Sequence, residues 1–171
     1  RTNEALTTLT QETKAEIEHL QSVNTSLDIA LREEDLVQIK EELIVSGYIR
    51  RKSSNKKEKI TSKPFHYISS DGFDIYVGKN NLQNEELTFK FATGNDWWFH
   101  AKGVPGSHVI VKTEGADDMP DATFEEAGRL AAYYSQSRDN EKVEIDYIQK
   151  KHIKKPKGGK PGFVVYYTNY S

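Results

Sequence analysis

Six lysines, one histidine and three glycines fall within "KKHIKKPKGGKPG", residues 150–162, between two strand-like runs. Lys150, Lys151, Lys154, Lys155, Lys157 and Lys160 supply point charges whose counterions are released on meeting phosphate. Glycines in such a connection leave backbone N–H groups open to an anion. With His152 among them, these residues form a candidate polyanion-binding loop. Its bland counterpart is a solvated basic turn, and the acidic balance of residues 64–140, 6 basic against 12 acidic side chains, argues against that. Nearby aromatics such as Trp98, Tyr147 and Tyr166 could stack on unpaired bases, which favours RNA or single strands over major-groove DNA reading.

A second concentration of chemistry is "NDWWFHAKGVPGSHVIVK", residues 95–112. If residues 103–106 form a four-residue hairpin loop, Lys102 pairs with Ser107 and Ala101 with His108. Alternation then places Trp97, Phe99, His108 and Ile110 on one face, and Trp98, His100, Ser107 and Val109 on the other. Both faces are half apolar, so the spacing does not decide which tryptophan is exposed. Opposite faces argue against a joint catalytic or metal role for His100 and His108, which read as hydrogen-bonded structural histidines.

Several classes are excluded or unsupported. No cysteine occurs in the 171 residues, which removes disulfides, thiolate nucleophiles and Cys-based zinc sites. No G-x-S-x-G, P-loop or H-E-x-x-H motif is present. The acidic pairs Asp117–Asp118 and Glu125–Glu126 read as surface charge. The expectation is a binding module without enzymatic activity, cofactor or metal. No apolar run approaches the length of a membrane span, so no membrane insertion is expected.

The elements that must position these residues follow from periodicity. Leu6, Leu9, Ile17, Leu20, Val23, Leu27 and Leu31 make one apolar stripe on a long helix, suited to a two-helix seam. The chain begins at Arg1 inside this helix and reads as a fragment, the partner being a returning helix upstream. A shorter helix through Leu36, Ile39, Leu43 and Ile44 stops at Gly47. Residues 1–49 are therefore a partial coiled-coil-like arm. Residues 50–64 form a solvated basic linker carrying Arg50, Arg51, Lys52, Lys56, Lys57 and Lys59. "FHYISS", an Asp-Gly turn and "FDIYVG" predict strand–turn–strand. "NNLQNEELTFKFAT" mixes both signals and leans to helix. "DATFEEAGRLAAYYSQSRD" is a helix with a Thr123/Glu126 capping box and an apolar face of Phe124, Ala127, Ala131 and Tyr134. Gly128 within it predicts close packing. "KVEIDYIQ" and "GFVVYY" read as two further strands. Residues 65–171 are thus an α+β domain, a mostly antiparallel sheet with packed helices.

In order and spacing, "SSDGFDIYVGKNNLQNEELTFKFATGNDWWFHAKGVPGSHVIVK", "TFEEAGRLAAYYS" and "KKPKGGKPGFVVYYTNY" resemble the NFACT-R domain of the NFACT family. "ELIVSGYIRRK" and the helices before it resemble the end of that family's coiled-coil arm. The family includes ribosome-associated quality-control factors and bacterial proteins called fibronectin/fibrinogen-binding proteins. The resemblance implies binding to a stalled large ribosomal subunit and to tRNA during template-independent alanine tailing. The peptidyl-transfer chemistry belongs to the ribosome, and the family's tRNA-contacting N-terminal domain lies upstream. It implies a cytoplasmic, ribosome-associated place. The alternative is a surface adhesin for host fibronectin or fibrinogen, without a recognisable anchor. Family segments match Gly78, Lys79, Asn80, Gln83, Asn84 and Glu85, and Asn95, Asp96, Trp98 and His100. By that resemblance Lys79, Asn80, Asn84, Trp98 and His100 join the candidate RNA-binding set, as fold-defining and not as catalytic.

Overall fold

The three–four apolar spacing becomes helix α1 (Thr2–Ile29), and the second periodic run becomes α2 (Glu33–Val45). Gly47 follows α2 at φ +83°, a left-handed conformation that ends the helix at little steric cost. Of the α1 stripe only Val23 is buried; Leu6, Leu9, Ile17, Leu20, Leu27 and Leu31 all face solvent. The face turned towards the rest of the protein instead buries His19, Thr25 and Ser26 beside Val23. The computed structural model describes residues 1–53, 56–116 and 118–167; Asp117 and the end of the C-terminal motif, residues 168–170, lie outside them.

The α+β expectation holds. Strands β1 (Phe65–Ile68), β2 (Asp74–Val77), β3 (Trp97–Ala101), β4 (Val109–Lys112) and β5 (Ile145–Gln149) form one sheet in the order β1-β2-β4-β3-β5. Every neighbouring pair is antiparallel. The Asp-Gly turn between β1 and β2 has Gly72 at φ +87°. One sheet face packs Ile75, Val77, Phe99, Val109 and Val111 against Ala127 and Ala131 of helix α4 (Asp121–Tyr133). The other packs Trp98, Ile110 and Ile148 against Leu87, Ala92 and Ile153. The ambiguous segment is helical: α3 (Asn81–Glu86) runs into a π-helical turn, Leu87–Phe91, which widens the winding and brings Phe89 and Phe91 to that second core.

Four details differ from expectation. The β3–β4 register is shifted by one residue: Trp98 lies opposite Ile110 and Phe99 opposite Val109. The hairpin does not close at 102–107 because its backbone groups bond elsewhere. Lys102 N–H donates to Glu144, Ser107 N–H to Tyr134, and His108 N–H to the Asn84 side chain, while Gly106 bridges Ser135. The shift puts Trp98, His100 and His108 together on one face.

The capping box is absent. Pro120 occupies the N-cap of α4, and Thr123 donates to Asp71 (2.8 Å) and bonds Ser69 (2.7 Å). Glu126 accepts from the Ser70 amide at 2.9 Å. Both residues therefore fasten the β1–β2 turn onto the helix instead of capping it. Gly128 has nothing near a notional Cβ, so no close approach explains it. "GFVVYY" is not a strand. Only Val165 pairs, with Lys154, while Val164 and Tyr166 pack beneath the sheet and Gly162 bends the chain at φ +83°.

Candidate nucleic-acid interface

The basic loop is pinned at its base. After β5 the chain makes a single 3₁₀ turn, Lys150–His152, whose entry is tied by Lys150 N–H to Asp96 O (2.9 Å) and Lys151 N–H to Gly94 O (3.0 Å). Ile153 is buried behind it, and Lys154 and Val165 exchange both backbone hydrogen bonds (2.9 and 2.8 Å). Everything between 154 and 165 is therefore a closed excursion from a fixed stem.

The six lysines are not equivalent. Lys151, Lys154 and Lys157 are exposed and form no ion pair with a described residue, and His152 is exposed beside them. Lys155 is bound by the Glu85 carboxylate and lies 5.8 Å from the Phe89 ring centre. Lys150 approaches the same ring at 6.0 Å. Lys160 lies 5.5 Å over the Tyr48 ring and donates to its hydroxyl at 3.5 Å. Glu85, Phe89 and Tyr48 gave no local signal as partners, because each is distant in sequence from the lysine it holds.

The segment from Gly78 to Glu85 points inward. Asn80 caps α3 by accepting the Gln83 N–H (2.9 Å), and its amide donates to Gln38 (2.9 Å). Gln83 also donates to Gln38 (2.7 Å) and to Ser62 (3.0 Å). Asn84 Oδ1 accepts the His108 N–H at 3.0 Å, and a Cβ on Gly78 would sit 2.0 Å from that oxygen. Glycine is therefore required at 78 by close approach, without help from its own φ.

Lys79 reaches Asp35 at 3.1 Å. Burial tends to raise the Asp35 carboxyl. Hydrogen bonds from Ser62, the Leu31 amide and Lys79 outweigh that and hold it below the usual carboxylate range. Lys79 and Asn80 therefore tie the arm to the sheet, Asn84 ties α3 to the start of β4, and Asn80 and Asn84 are buried in the protein rather than presented to RNA.

The hairpin residues are likewise placed inside. Trp98 is 1% exposed, so it has no free face on which an RNA base could stack. Tyr147 packs against Phe124 in the α4-side core, and Tyr166 donates to Asp146 at 2.6 Å. His100 stacks on Trp98 at 5.5 Å and meets His108 edge-on at 5.6 Å. His108 Nδ1 bonds Thr88 at 2.7 Å. Burial drives both imidazoles below their ordinary value, and proximity to His100 drives His108 further down. Both stay neutral near pH 7. Among the described residues no cluster of His, Asp and Glu could hold a metal ion.

A cleft of about 440 Å³ opens beside this group, between α1, the 103–106 loop and residues 162–166.

The linker is attached to the arm along part of its length. Arg51 makes a two-pronged contact with Glu41 (2.8 and 2.9 Å), Lys57 approaches Glu41 at 3.7 Å, and Glu58 approaches Lys40 at 3.8 Å. Ser62 donates to Asp35 at 2.6 Å. Arg50, Lys52, Lys56 and Lys59 remain exposed.

With this geometry established, residues 63–167 match the family profile described as "NFACT protein RNA binding domain", and residues 1–62 match "NFACT N-terminal and middle domains". The chain belongs to the NFACT family. It is 52% identical over 162 residues to the "Rqc2 homolog RqcH" of Streptococcus pneumoniae serotype 2, covering 94% of this chain and 29% of that protein. It is 41% identical over 142 residues to the Bacillus subtilis protein of the same description, covering 80% and 24%. The chain thus spans less than a third of the length of these NFACT relatives. Its fold is similar, with a TM-score of 0.90 and 46% identity, to the C-terminal part of the fibronectin/fibrinogen-binding protein from Streptococcus suis, covering 98% of this chain and 66% of that one.

Proposed function

We propose that this NFACT chain binds RNA through the loop of residues 150–162, as part of a ribosome-associated quality-control factor. That factor engages the large ribosomal subunit and tRNA during alanine tailing in the cytoplasm. The observation that carries this reading is the trio Lys151, Lys154 and Lys157. They are exposed and unpaired with described residues, and they stand on a stem fixed by Ile153 and the Lys154–Val165 pair. Fixed cations without protein counterions suit a polyanion, because binding releases small ions without first breaking internal pairs. Arg50, Lys52, Lys56 and Lys59 add a parallel, weaker contact. The chain acts by binding and performs no turnover of its own. Among the described residues no helix is long and apolar enough to cross a membrane.

The likeness to the Streptococcus suis protein supports a second reading, adhesion to fibronectin or fibrinogen. The two separate by salt dependence. Binding of labelled tRNA, large ribosomal subunit and fibronectin is measured side by side across a salt series. RNA and ribosome affinity should fall steeply as salt rises. Tight, salt-insensitive fibronectin binding with no RNA or ribosome binding would overturn the first reading.

A further inference from the structure

The 440 Å³ cleft beside Trp98 lies within the size range of ligand pockets, about 300–1,000 Å³. Its walls come from three separate parts of the chain: the polar face of α1, the 103–106 loop, and the segment after the basic loop. Flat or ring-bearing side chains, Pro105, Phe163 and Tyr166, face it, with His100 and Trp98 behind them. Gly103, Gly106 and Gly162 also line it, leaving backbone close to any occupant. Among the described residues no lysine or arginine lines it, and Glu18 is the one acidic side chain that does, so it is no site for a phosphate. Lys160 of the basic loop precedes the lining residues Gly162 and Phe163 in the chain. Its Nζ lies over Tyr48, whose ring stacks on His19 at 5.6 Å, and His19 adjoins Phe163 at 6.5 Å.

The polar groups are those of a site for a neutral ring. The Gln21 side chain on α1 is exposed at the lip, while the Ser22 hydroxyl in the wall is already engaged, donating to His19 O at 2.5 Å and accepting from Asn81 at 2.8 Å. Burial keeps His100 uncharged, and its ring is hydrogen-bonded to the backbone of Gly106 and Ala101, so it presents an uncharged, held ring to the cleft. The Trp98 indole N–H is buried with no hydrogen-bond partner among the described residues, and buried donors of this kind are usually bonded.

We infer that this cleft receives a single unpaired nucleobase of a bound RNA, whose phosphates lie on Lys160 and the rest of the basic loop. The arrangement separates the two halves of a nucleotide by their chemistry. The uncharged heterocycle enters a cation-free slot between rings, and the anionic backbone stays on the lysine-bearing rim. This inference rests on the RNA reading above and specifies how that RNA is held.

The test compares the 171-residue chain with Gln21→Trp, which plugs the cleft from an exposed helix position without touching either core. A single-stranded RNA and the same strand carrying abasic residues are titrated at fixed salt, with circular dichroism confirming that the variant is folded. Phe163→Ala, which removes a ring from the wall instead of adding one, serves as a second variant. The intact strand should bind the unsubstituted chain about 5- to 150-fold more tightly than the abasic strand, the range one stacked base contributes. Both variants should shrink that ratio while leaving abasic-strand affinity unchanged. Equal binding of the two strands, or a ratio untouched by both variants, overturns the inference and leaves the RNA reading standing.

If neither strand binds, the RNA reading fails, and the cleft is then decided by titrating free adenosine and cytidine while following the Trp98 indole N–H resonance. A shift that Gln21→Trp abolishes supports the site, and no shift overturns it.

Discussion

The α4 side of the sheet and the junction between arm and sheet are equally buried but built from opposite materials. On the α4 side, Ile75, Val77, Phe99, Val109 and Val111 meet two alanines of the helix, and contact is non-directional. At the junction, Asp35, Gln38, Glu42, Asn80, Asn81 and Gln83 are buried, and almost every contact is a hydrogen bond of fixed geometry. His19 and Glu42, both fully buried, meet at 2.9 Å, and Asn81 donates to the same carboxylate oxygen at 2.9 Å. Apolar burial supplies driving force, about 25 cal/mol per Å², and tolerates rearrangement of shape. A buried polar network contributes less net stability but accepts only one arrangement, since a displaced partner leaves a desolvated group unsatisfied. One region makes the domain stable, and the other fixes how the arm leaves it.

The contrast can be broken hardest on the apolar side. Phe99→Ala should destabilise the fold by about 3–5 kcal/mol, read from denaturant unfolding, because it opens a cavity at the centre of the α4-side core. A loss of under about 1 kcal/mol would show that this side can collapse to fill the gap.

Shape-conserving changes sharpen the comparison. Gln38→Met keeps volume but removes the acceptor shared by Asn80 and Gln83, and should cost about 1–3 kcal/mol. Ile75→Leu, equally conservative on the apolar side, should cost less than about 1.5 kcal/mol. If the two costs came out in the reverse order, the distinction between the regions would fail.

Acid adds a smaller effect on the sheet face towards the junction. His108 is held well below its ordinary value of 6.5, first by burial and then by His100. The unfolded chain takes up a proton at this position more readily than the folded one. The resulting stability is present above about pH 6.5 and is lost as pH falls towards the lowered folded value. The melting temperature should therefore fall between about pH 7 and pH 5, and His108→Gln should flatten that fall. Asp96 contributes at lower pH. Burial raises it, but Lys112 and the Thr93 and Thr113 amides hold it down, so its stabilisation is lost as pH drops through its lowered value.

The smallest stability effect belongs to the loop that neither region contains. Lys151, Lys154 and Lys157 changed together to Ala should alter stability by only about 0.5 kcal/mol. The slope of log affinity against log salt for RNA should become shallower by about 2–3. An unchanged slope would mark the loop as a solvated turn and move the RNA-binding face to the linker.

The sequence was most legible where periodicity and turn chemistry were decided locally. The two arm helices, the Asp-Gly hairpin, α4 with its Phe124, Ala127, Ala131 and Tyr134 face, and strand β5 all follow from neighbours close in the chain. It was least legible where distant elements claimed local groups. Thr123 and Glu126 have the spacing of a capping box, yet the β1–β2 turn some fifty residues earlier engages both. The hairpin register depended on Asn84, Tyr134 and Glu144 drawing backbone groups away from 102–108, which no pattern within the hairpin reveals. The same holds at the candidate interface. The lysine cluster was visible as composition, but which lysines Glu85, Phe89 and Tyr48 hold required the fold. Asn80 and Asn84 carry a motif that constrains them strongly, and their contacts give an internal reason for the constraint.

The polar junction gives the arm a mechanical character. From His19, its buried anchor, α1 runs on to Thr2, a reach of about 25 Å at 1.5 Å per residue. A tilt of about 10° at the anchor would carry Thr2 sideways by about 4 Å. Because the anchor is a set of directional bonds among His19, Glu42 and Asn81, such a tilt is resisted where an oily contact would slide. Force on the exposed leucines of α1 is thereby transmitted to α3, whose cap, Asn80, is bonded to α2 and whose Glu85 holds Lys155. The arm is a stiff lever, and its short end bears on the basic loop.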